Sequence, residues 1–429
     1  MRTRQITNPV YPNFNMLMEY KSVLKNKNFV YIWVSQIFSQ LTINMMNFVL
    51  LIRLFEVTGS AISTAFLWVA YALPAILIGP FASGIIDLVD RKKILIVTNL
   101  LQSLTIFLYA MAFRSSIFLL YEVVFIYSFL NQFYLPSETA TLPSVLDKKQ
   151  LVHGNSLFFI TQQSSLVLGF ALAGLLNTLF GFRDTLFLCS GFLFIAFLST
   201  LFLPKFKPKE AISKKFEEGV FDFFRHIFEG YNFIKSERKV LTPVLLLLVF
   251  QMAVQICIVQ FPVMAKNILA IPLNAASVYI LVPAGIGAII GALTLPKILK
   301  KDVRKKTLID ASLLIIGISV LLLAFVAPLF VYTLRVLISS LLIASIGFSF
   351  VGILVPSQTF LQESTPENLR GRVFGNFSFL VTATSVLPVI FSGSIVEVFG
   401  IRFLLFMLAA MVFFVYAISK KFGNRFLAG

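Results

Sequence analysis

Charged side chains are scarce in this chain of 429 residues. Only 13% of the residues are charged, whereas 58% are hydrophobic, and soluble domains carry about 25% charged residues. Such a chain cannot bury all its apolar side chains away from water, which excludes an ordinary soluble domain. Its apolar runs reach the roughly 20 residues that a helix needs to cross a bilayer. The composition therefore indicates a membrane protein.

Cysteine and histidine are also rare, with two of each. Cys189 and Cys257 both fall inside apolar runs, which argues against a disulfide scaffold and favours packing roles. His153 and His226 lie apart in the sequence, so we expect no metal cluster. The chain has no Walker-type phosphate loop, metal-ligand spacing or nucleophile elbow. We therefore predict no catalytic residue, no metal, no cofactor and no enzymatic activity.

Twelve apolar segments are long enough to be membrane spans. Their predicted limits are 29–54, 60–86, 93–113, 115–141, 151–180, 184–204, 240–266, 272–298, 305–326, 328–360, 372–398 and 400–420. Helices of this length satisfy their own backbone hydrogen bonds within the bilayer. The pattern predicts an all-α membrane protein.

Lysine and arginine residues fall largely on one side of this topology. With both termini inside, 30 of the 36 basic residues lie in inward segments. Cytoplasmic loops carry such an excess, so we expect a multi-pass protein of the cytoplasmic (inner) membrane with both termini in the cytoplasm. The net charge of +17 is spread over short loops, which favours contact with anionic membrane lipids over nucleic acid.

The second half of the chain repeats the first. Segment 135–139 (LPSET) reappears at 355–359 (VPSQT), and segment 180–183 (FGFR) reappears at 399–402 (FGIR). Two similar bundles that rock about a shared site are typical of secondary transporters. We predict a cytoplasmic N-terminal segment (1–28), a six-helix bundle (29–204), a cytoplasmic linker with an amphipathic helix (205–239), a second six-helix bundle (240–420) and a cytoplasmic tail (421–429).

The loop after span two carries Asp87 and, four residues later, Arg91. Here the chain resembles the major facilitator superfamily, whose signature places a glycine, an acid and an arginine at intervals of four; the glycine position is Ser83. The resemblance implies that the acid faces the start of span eleven and closes the cytoplasmic side, where the helix N-terminus favours a carboxylate. The predicted conformational gate comprises Asp87, Arg91, Glu138, Arg370 and Arg372.

Segments 133–155 and 355–376 sharpen this resemblance. They are similar to the branch that holds macrolide-efflux proteins and the enterobactin exporter, with lysophospholipid transporters as more distant relatives. Phe170 and Ala173 break the glycine pattern of drug–proton antiporters, and Glu138 replaces an arginine that many relatives carry.

Neutral polar side chains form a stripe in span one. Four of them fall within about 80° of arc on one helical face, and span seven carries two glutamines four residues apart. Buried amides prefer a wet interior or a neighbouring helix, so substrate contact and interhelical hydrogen bonding both remain open. The predicted substrate cavity comprises Gln36, Gln40, Asn44, Asn47, Asn131, Thr161, Gln162, Gln251 and Gln255.

Ionisable residues inside membrane spans are costly and indicate function. Glu122 and Glu138 in span four, with Arg335 in span ten, are therefore the candidates for coupling to protons or another ion. The alternatives are that Glu122 reaches water at the interface and that Glu138 makes a structural gate contact.

These features predict a secondary transporter with the fold of the major facilitator superfamily. The resemblance implies export of amphipathic small molecules, such as drugs, macrolides or siderophores, by alternating access as an ion-driven antiporter. We expect the transporter to act as a monomer. A lysophospholipid or other lipid transporter, a nutrient uptake carrier and a non-transporting membrane receptor are the alternatives.

Overall fold

The computed structural model describes residues 15–86, 89–112, 116–147, 150–206, 225, 228–299 and 304–426. All regular secondary structure in these ranges is helical. The first half contains α1 (Asn15–Lys25), α2 (Lys27–Thr58), α3 (Ala61–Leu77), α4 (Gly79–Ile86), α5 (Arg91–Met111), α6 (Ile117–Val145) and α7 (Leu151–Leu201). The second half contains α8 (Arg238–Met264), α9 (Val282–Leu299), α10 (Lys305–Leu321), α11 (Tyr332–Ser364), α12 (Glu367–Phe399) and α13 (Ile401–Phe426).

Twelve membrane crossings are present among the described helices. Ten helices are long and apolar enough to span a membrane. One of them, α7, holds two crossings because Gly181 interrupts it with φ 81° and ψ 173°. The shorter apolar helix α3, continued by α4, provides the remaining crossing. This confirms the predicted all-α membrane fold, although α2 and α6 each end four residues beyond the predicted limits.

The repeated Phe-Gly motif marks equivalent tight connections in the two halves. Gly181 and Gly400 both have φ 81°, a region that side chains with a Cβ rarely adopt. Gly181 joins spans five and six, and Gly400 ends α12 before α13. The sequence repeat therefore records a backbone requirement at both positions.

Among the described residues, the hydrophobic core is shared between the two halves at one end of the molecule. We call the end where α2 and α8 begin the linker end, and the opposite end the far end. The largest buried cluster runs from Met45 and Phe55 to Phe261 and Val396, and so includes both halves at the far end. At the linker end, one cluster is built around Phe29 from the first half alone, and others belong to the second half alone. The halves are thus joined at the far end and have separate cores at the linker end.

The connection between the halves is described only in part. Most of the predicted amphipathic helix, including residues 207–224 and His226, lies outside the described residues. Residues 228–236 are helical, and Ile234 packs into the core of the second half. The predicted domain boundaries stay predictions.

Candidate transport pathway

Aromatic side chains join the two halves near the far end. The ring centroid of Phe48 on α2 lies 5.3 Å from that of Phe261 on α8 and 5.8 Å from that of Phe170 on α7. Phe48 and Phe261 are both almost completely buried. Aromatic packing of this kind adds to the free energy gained by burying apolar area, so these rings form an apolar seal between the halves.

A first helix crossing closes the far end beside this seal. Gly174 on α7 packs against Ser277 and Asn274, which precede α9. A Cβ at Gly174 would overlap the Ser277 hydroxyl and lie 2.9 Å from the Asn274 carbonyl oxygen. Next to it, Asn177 Nδ2 donates a 2.7 Å hydrogen bond to Asn274 Oδ1. Small residues permit such close approach of helices within membranes.

A second crossing, between α3 and α12, mirrors the first. A Cβ at Gly393 would lie 2.9 Å from the Ala61 carbonyl oxygen and from the Ile62 Cα. Glu397 Oε1 accepts hydrogen bonds from the Ser60 hydroxyl and, at 3.1 Å, from the Ile62 backbone N–H. A carboxylate is favoured at this position because it faces the positive N-terminal end of α3.

The two crossings are related by the internal repeat. Gly174 lies seven residues before Gly181, and Gly393 lies seven residues before Gly400. Each glycine ends up against the start of a helix in the other half. The far end is therefore closed by two equivalent contacts, one between spans five and eight and one between spans two and eleven.

The predicted gate at the linker end is described only in part. Asp87 and the side chains of Arg370 and Arg372 lie outside the described residues. Arg91 Nη1 donates a 2.8 Å hydrogen bond to the Ala140 carbonyl oxygen and lies 3.4 Å from the Ser144 hydroxyl. Arg91 thus links the start of α5 to the last turns of α6.

Two residues of the predicted substrate cavity are engaged in packing between spans one and five. Gln36 is buried and donates a 3.2 Å hydrogen bond to the Phe158 carbonyl oxygen. Thr161, also buried, accepts a 2.8 Å hydrogen bond from Trp33 Nε1. For both residues, these bonds support the alternative role of interhelical hydrogen bonding.

Other predicted cavity residues keep their side-chain amides available. Within the described residues, no side-chain hydrogen bond is formed by Gln40, Asn47, Asn131, Gln162, Gln251 or Gln255, whereas Asn44 donates to the Gln40 carbonyl oxygen. All of these side chains are at least partly exposed. Along α2 and α8, at about 1.5 Å per residue, Gln40 and Gln255 lie about 12 and 9 Å from Phe48 and Phe261. The amides thus occupy similar depths on the linker side of the aromatic seal.

Glu138 occupies a buried polar network in the linker half of α6. Its side chain is 1% exposed and accepts a 2.7 Å hydrogen bond from the Tyr134 hydroxyl. The Tyr134 hydroxyl lies 3.1 Å from the Ser35 hydroxyl, to which Asn99 Nδ2 donates at 3.1 Å. No lysine or arginine among the described residues forms an ion pair with Glu138. Its carboxyl is therefore enclosed by neutral groups from spans one, three and four.

The other two predicted coupling residues lie apart from this network. Glu122 is exposed on α6 and makes no hydrogen bond or ion pair with a described residue. Arg335 Nη2 donates a 2.6 Å hydrogen bond to the Pro328 carbonyl oxygen at the start of span ten. The structure therefore does not join Arg335 to either glutamate.

Sequence reasoning missed two acidic residues with defined contacts. Glu397 was overlooked because its partners, Ser60 and Ile62, belong to the other half of the chain. Asp310 is 9% exposed on α10 and accepts a hydrogen bond from the Ser419 hydroxyl on α13. A search for single acids inside apolar spans could have found Asp310.

Comparison with known proteins places these features in a family. The profile described as Major Facilitator Superfamily matches residues 32–388. The Bacillus subtilis (strain 168) protein YfiS, described as an uncharacterized MFS-type transporter, is 23% identical over 353 residues, which are 82% of each chain.

Solved structures with a similar fold are also transporters. A crystal structure of the nucleoside transporter NupG matches 91% of this chain and 97% of its own, with a TM-score of 0.68 and 15% identity. A bacterial homologue of the human lysosomal transporter Spinster, crystallised in an inward-facing and unoccupied conformation, matches 87% of this chain and 83% of its own, with a TM-score of 0.66 and 14% identity. At these identities the likeness concerns the fold alone.

Proposed function

This chain belongs to the major facilitator superfamily, and we propose that it exports amphipathic small molecules by alternating access. It is a multi-pass membrane transporter and not an enzyme. The observation that carries the proposal is the unequal joining of the two halves. They share one core at the far end and have separate cores at the linker end. A rocking motion of the two halves can open the far-end contact while it brings their linker ends together.

We place the substrate on the linker side of the aromatic seal formed by Phe48 and Phe261. Gln40 and Gln255 lie at similar depths in two equivalent spans. Their amides form no side-chain hydrogen bond with a described residue and therefore can hydrogen-bond a ligand. Neutral amides about 9–12 Å along the helices from phenylalanine rings fit a molecule with both polar and apolar surfaces, such as a macrolide-like or siderophore-like compound.

Glu138 is the residue that we propose to carry the coupling proton. Its buried carboxyl forms no ion pair with a described lysine or arginine, and a charged group in such a site is expensive. A carboxyl that is buried in one conformation and wetted in the other can bind and release a proton as the halves rock. The hydrogen bonds through Tyr134 and Ser35 tie its protonation state to spans one and three.

Several further assignments belong to the same proposal. The 30 basic residues in inward segments support a cytoplasmic-membrane location with both termini in the cytoplasm. In that orientation the linker end faces the cytoplasm. Asp87, Arg91, Arg370 and Arg372 then form the inner gate, and Glu397 contributes to the outer one. We expect the transporter to work as a monomer.

Lipid transport and nutrient uptake are the competing substrate classes. A panel of macrolides, cationic dyes, catecholate siderophores, lysophospholipids, nucleosides and sugars separates them by thermal stabilisation of the purified protein. A ligand at about 100 times its Kd stabilises the folded state by about 2.7 kcal/mol. We expect selective shifts with amphipathic drugs or siderophores. Shifts confined to lysophospholipids, nucleosides or sugars would contradict the export of drug-like compounds, and the absence of any shift would remove the support for a central binding site.

Variants locate the binding site within the same assay. We expect Gln40→Ala and Gln255→Ala to reduce the stabilising shift, because each removes an amide below the seal. Thr105→Ala is the matched control, since the half-buried Thr105 hydroxyl, among the described residues, bonds only to the Leu101 carbonyl oxygen of its own helix. Equal shifts in all three variants would refute the assignment of the cavity.

A further inference from the structure

A groove lies between α3 and α6. Its volume is about 480 Å³. Its walls include Phe66, Val69, Leu73, Tyr121, Glu122 and Phe125. Glu122 is the one charged residue among the described residues that line this groove. The Tyr121 hydroxyl donates a 3.0 Å hydrogen bond to the Ser63 carbonyl oxygen, which fixes α6 against α3.

The groove runs from near the far end toward the middle of the membrane. Glu122 lies five residues into α6 and Phe66 lies five residues into α3, so both are about 7.5 Å from their helix starts. Leu73 lies about 10 Å deeper than Phe66 at the same rise per residue. A ligand can therefore place a head group beside Glu122 and an apolar tail toward Leu73.

We propose that this groove binds an amphipathic organic cation. The carboxyl of Glu122 has no cationic partner among the described residues, and an uncompensated acid within a membrane span is expensive. The rings of Phe66, Tyr121 and Phe125 line the same groove, and aromatic ring faces attract an ammonium group. A cation beside Glu122 would compensate the charge of the carboxylate and interact with the aromatic rings, whereas the carboxylate would repel an anionic head group.

The occupant is a diffusible cation and not a resident phospholipid. A phospholipid amine is accompanied by a phosphate, whose negative charge would lie close to Glu122. The groove also has the volume of a small-molecule site, within the range of about 300–1,000 Å³. The described lining of this groove includes none of the predicted cavity amides, and the cation site does not depend on the substrate proposed for the central pathway.

The test is equilibrium binding of octyltrimethylammonium to the full-length protein in maltoside micelles, measured by titration calorimetry against empty micelles. We expect saturable binding that weakens about ten-fold in Glu122→Gln, the loss of roughly one charge-assisted contact. Glu122→Asp should retain most of the affinity. Glu56→Gln is the matched control, because Glu56 is another exposed carboxylate near the far end and is paired with Arg53 at 3.6 Å.

Three probes separate the proposal from its rivals. Octyl sulfate and octyl glucoside share the tail and should bind at least ten-fold more weakly than the cation. Equal affinity of wild type and Glu122→Gln, or equal binding of the three probes, would overturn the site. Loss of binding when phosphatidylethanolamine is added would instead identify a lipid amine as the occupant and overturn our choice of a diffusible cation. Because only binding is measured, a failure of the proposed export function would not alter the result.

Discussion

The far-end closure gives the sharpest prediction, and Gly393→Ala is the change that tests it. The added Cβ would lie 2.9 Å from backbone atoms of Ala61 and Ile62, whereas carbon contacts are comfortable at about 3.5–4.0 Å. Helices α3 and α12 must therefore move apart by roughly 0.6–1.1 Å to turn this overlap into an ordinary van der Waals contact. Overpacking of this size costs about 1–3 kcal/mol.

This cost applies only to conformations in which the far end is closed. We expect Gly393→Ala to raise the ratio of far-open to far-closed molecules by about 5- to 150-fold, the factor that corresponds to 1–3 kcal/mol. The assay introduces a cysteine at Gln40 in a background that lacks Cys189 and Cys257. The rate of its modification by an impermeant maleimide, added from the far side in proteoliposomes, reports how often the seal opens.

The chain offers a matched control for this experiment. A Cβ at Gly191 on α7 would meet no atom within 4 Å, so Gly191→Ala should leave the labelling rate unchanged. Gly174→Ala should raise the rate as Gly393→Ala does, because it blocks the equivalent crossing. Equal rates for Gly393→Ala and Gly191→Ala, with both proteins folded, would refute the reasoning.

Four further predictions concern coupling, closure and the turns. Glu138→Gln should abolish transport driven by a pH gradient while substrate exchange continues, measured in proteoliposomes. Glu397→Gln should weaken the contact between residue 397 and the start of α3 by about 1 kcal/mol, the size of a helix-dipole interaction. It should also raise the labelling rate of Gln40→Cys by about five-fold. Gly400→Ala should lower stability by about 1–2 kcal/mol in denaturant unfolding, because φ 81° strains any residue with a Cβ. Asp87→Asn should impair export without loss of membrane insertion, measured by transport and by protein level.

Each of these predictions has a contradicting outcome. Full pH-driven transport by Glu138→Gln would remove this residue from the coupling mechanism. Unchanged labelling in Glu397→Gln would make its contacts incidental to closure. Wild-type stability of Gly400→Ala would show that the turn tolerates a Cβ, and full export by Asp87→Asn would remove Asp87 from the inner gate.

Properties that depend on local sequence could be predicted well. Spans were visible because about 20 apolar residues are needed to cross the membrane, and the repeated glycines of the Phe-Gly motif fall on equivalent turns. Span limits were less accurate, since polar residues at helix ends continue the helix beyond the apolar run. The π-helical segment Ser277–Leu281, which directly precedes α9, could not be predicted from the pattern of apolar residues.

The chemical roles of polar residues depended on contacts across the fold. Gln36 and Gln40 share a helical face, yet Gln36 donates to the Phe158 carbonyl oxygen, whereas the Gln40 side chain bonds to no described residue. Periodicity gives the face of a helix but not the neighbour that it meets. Glu397 likewise gains its role from the start of a helix in the other half of the chain. Both contacts require the packed structure.

Transport in inside-out membrane vesicles tests the central claim most directly. The measurement is uptake of a fluorescent amphipathic substrate, selected by the stabilisation panel, after the vesicle interior is made acidic. The account predicts uptake that requires both the protein and the pH gradient, and that is lost in Glu138→Gln while Thr105→Ala behaves as wild type. Uptake that is the same without the gradient, or the same in vesicles that lack the protein, would contradict gradient-driven export.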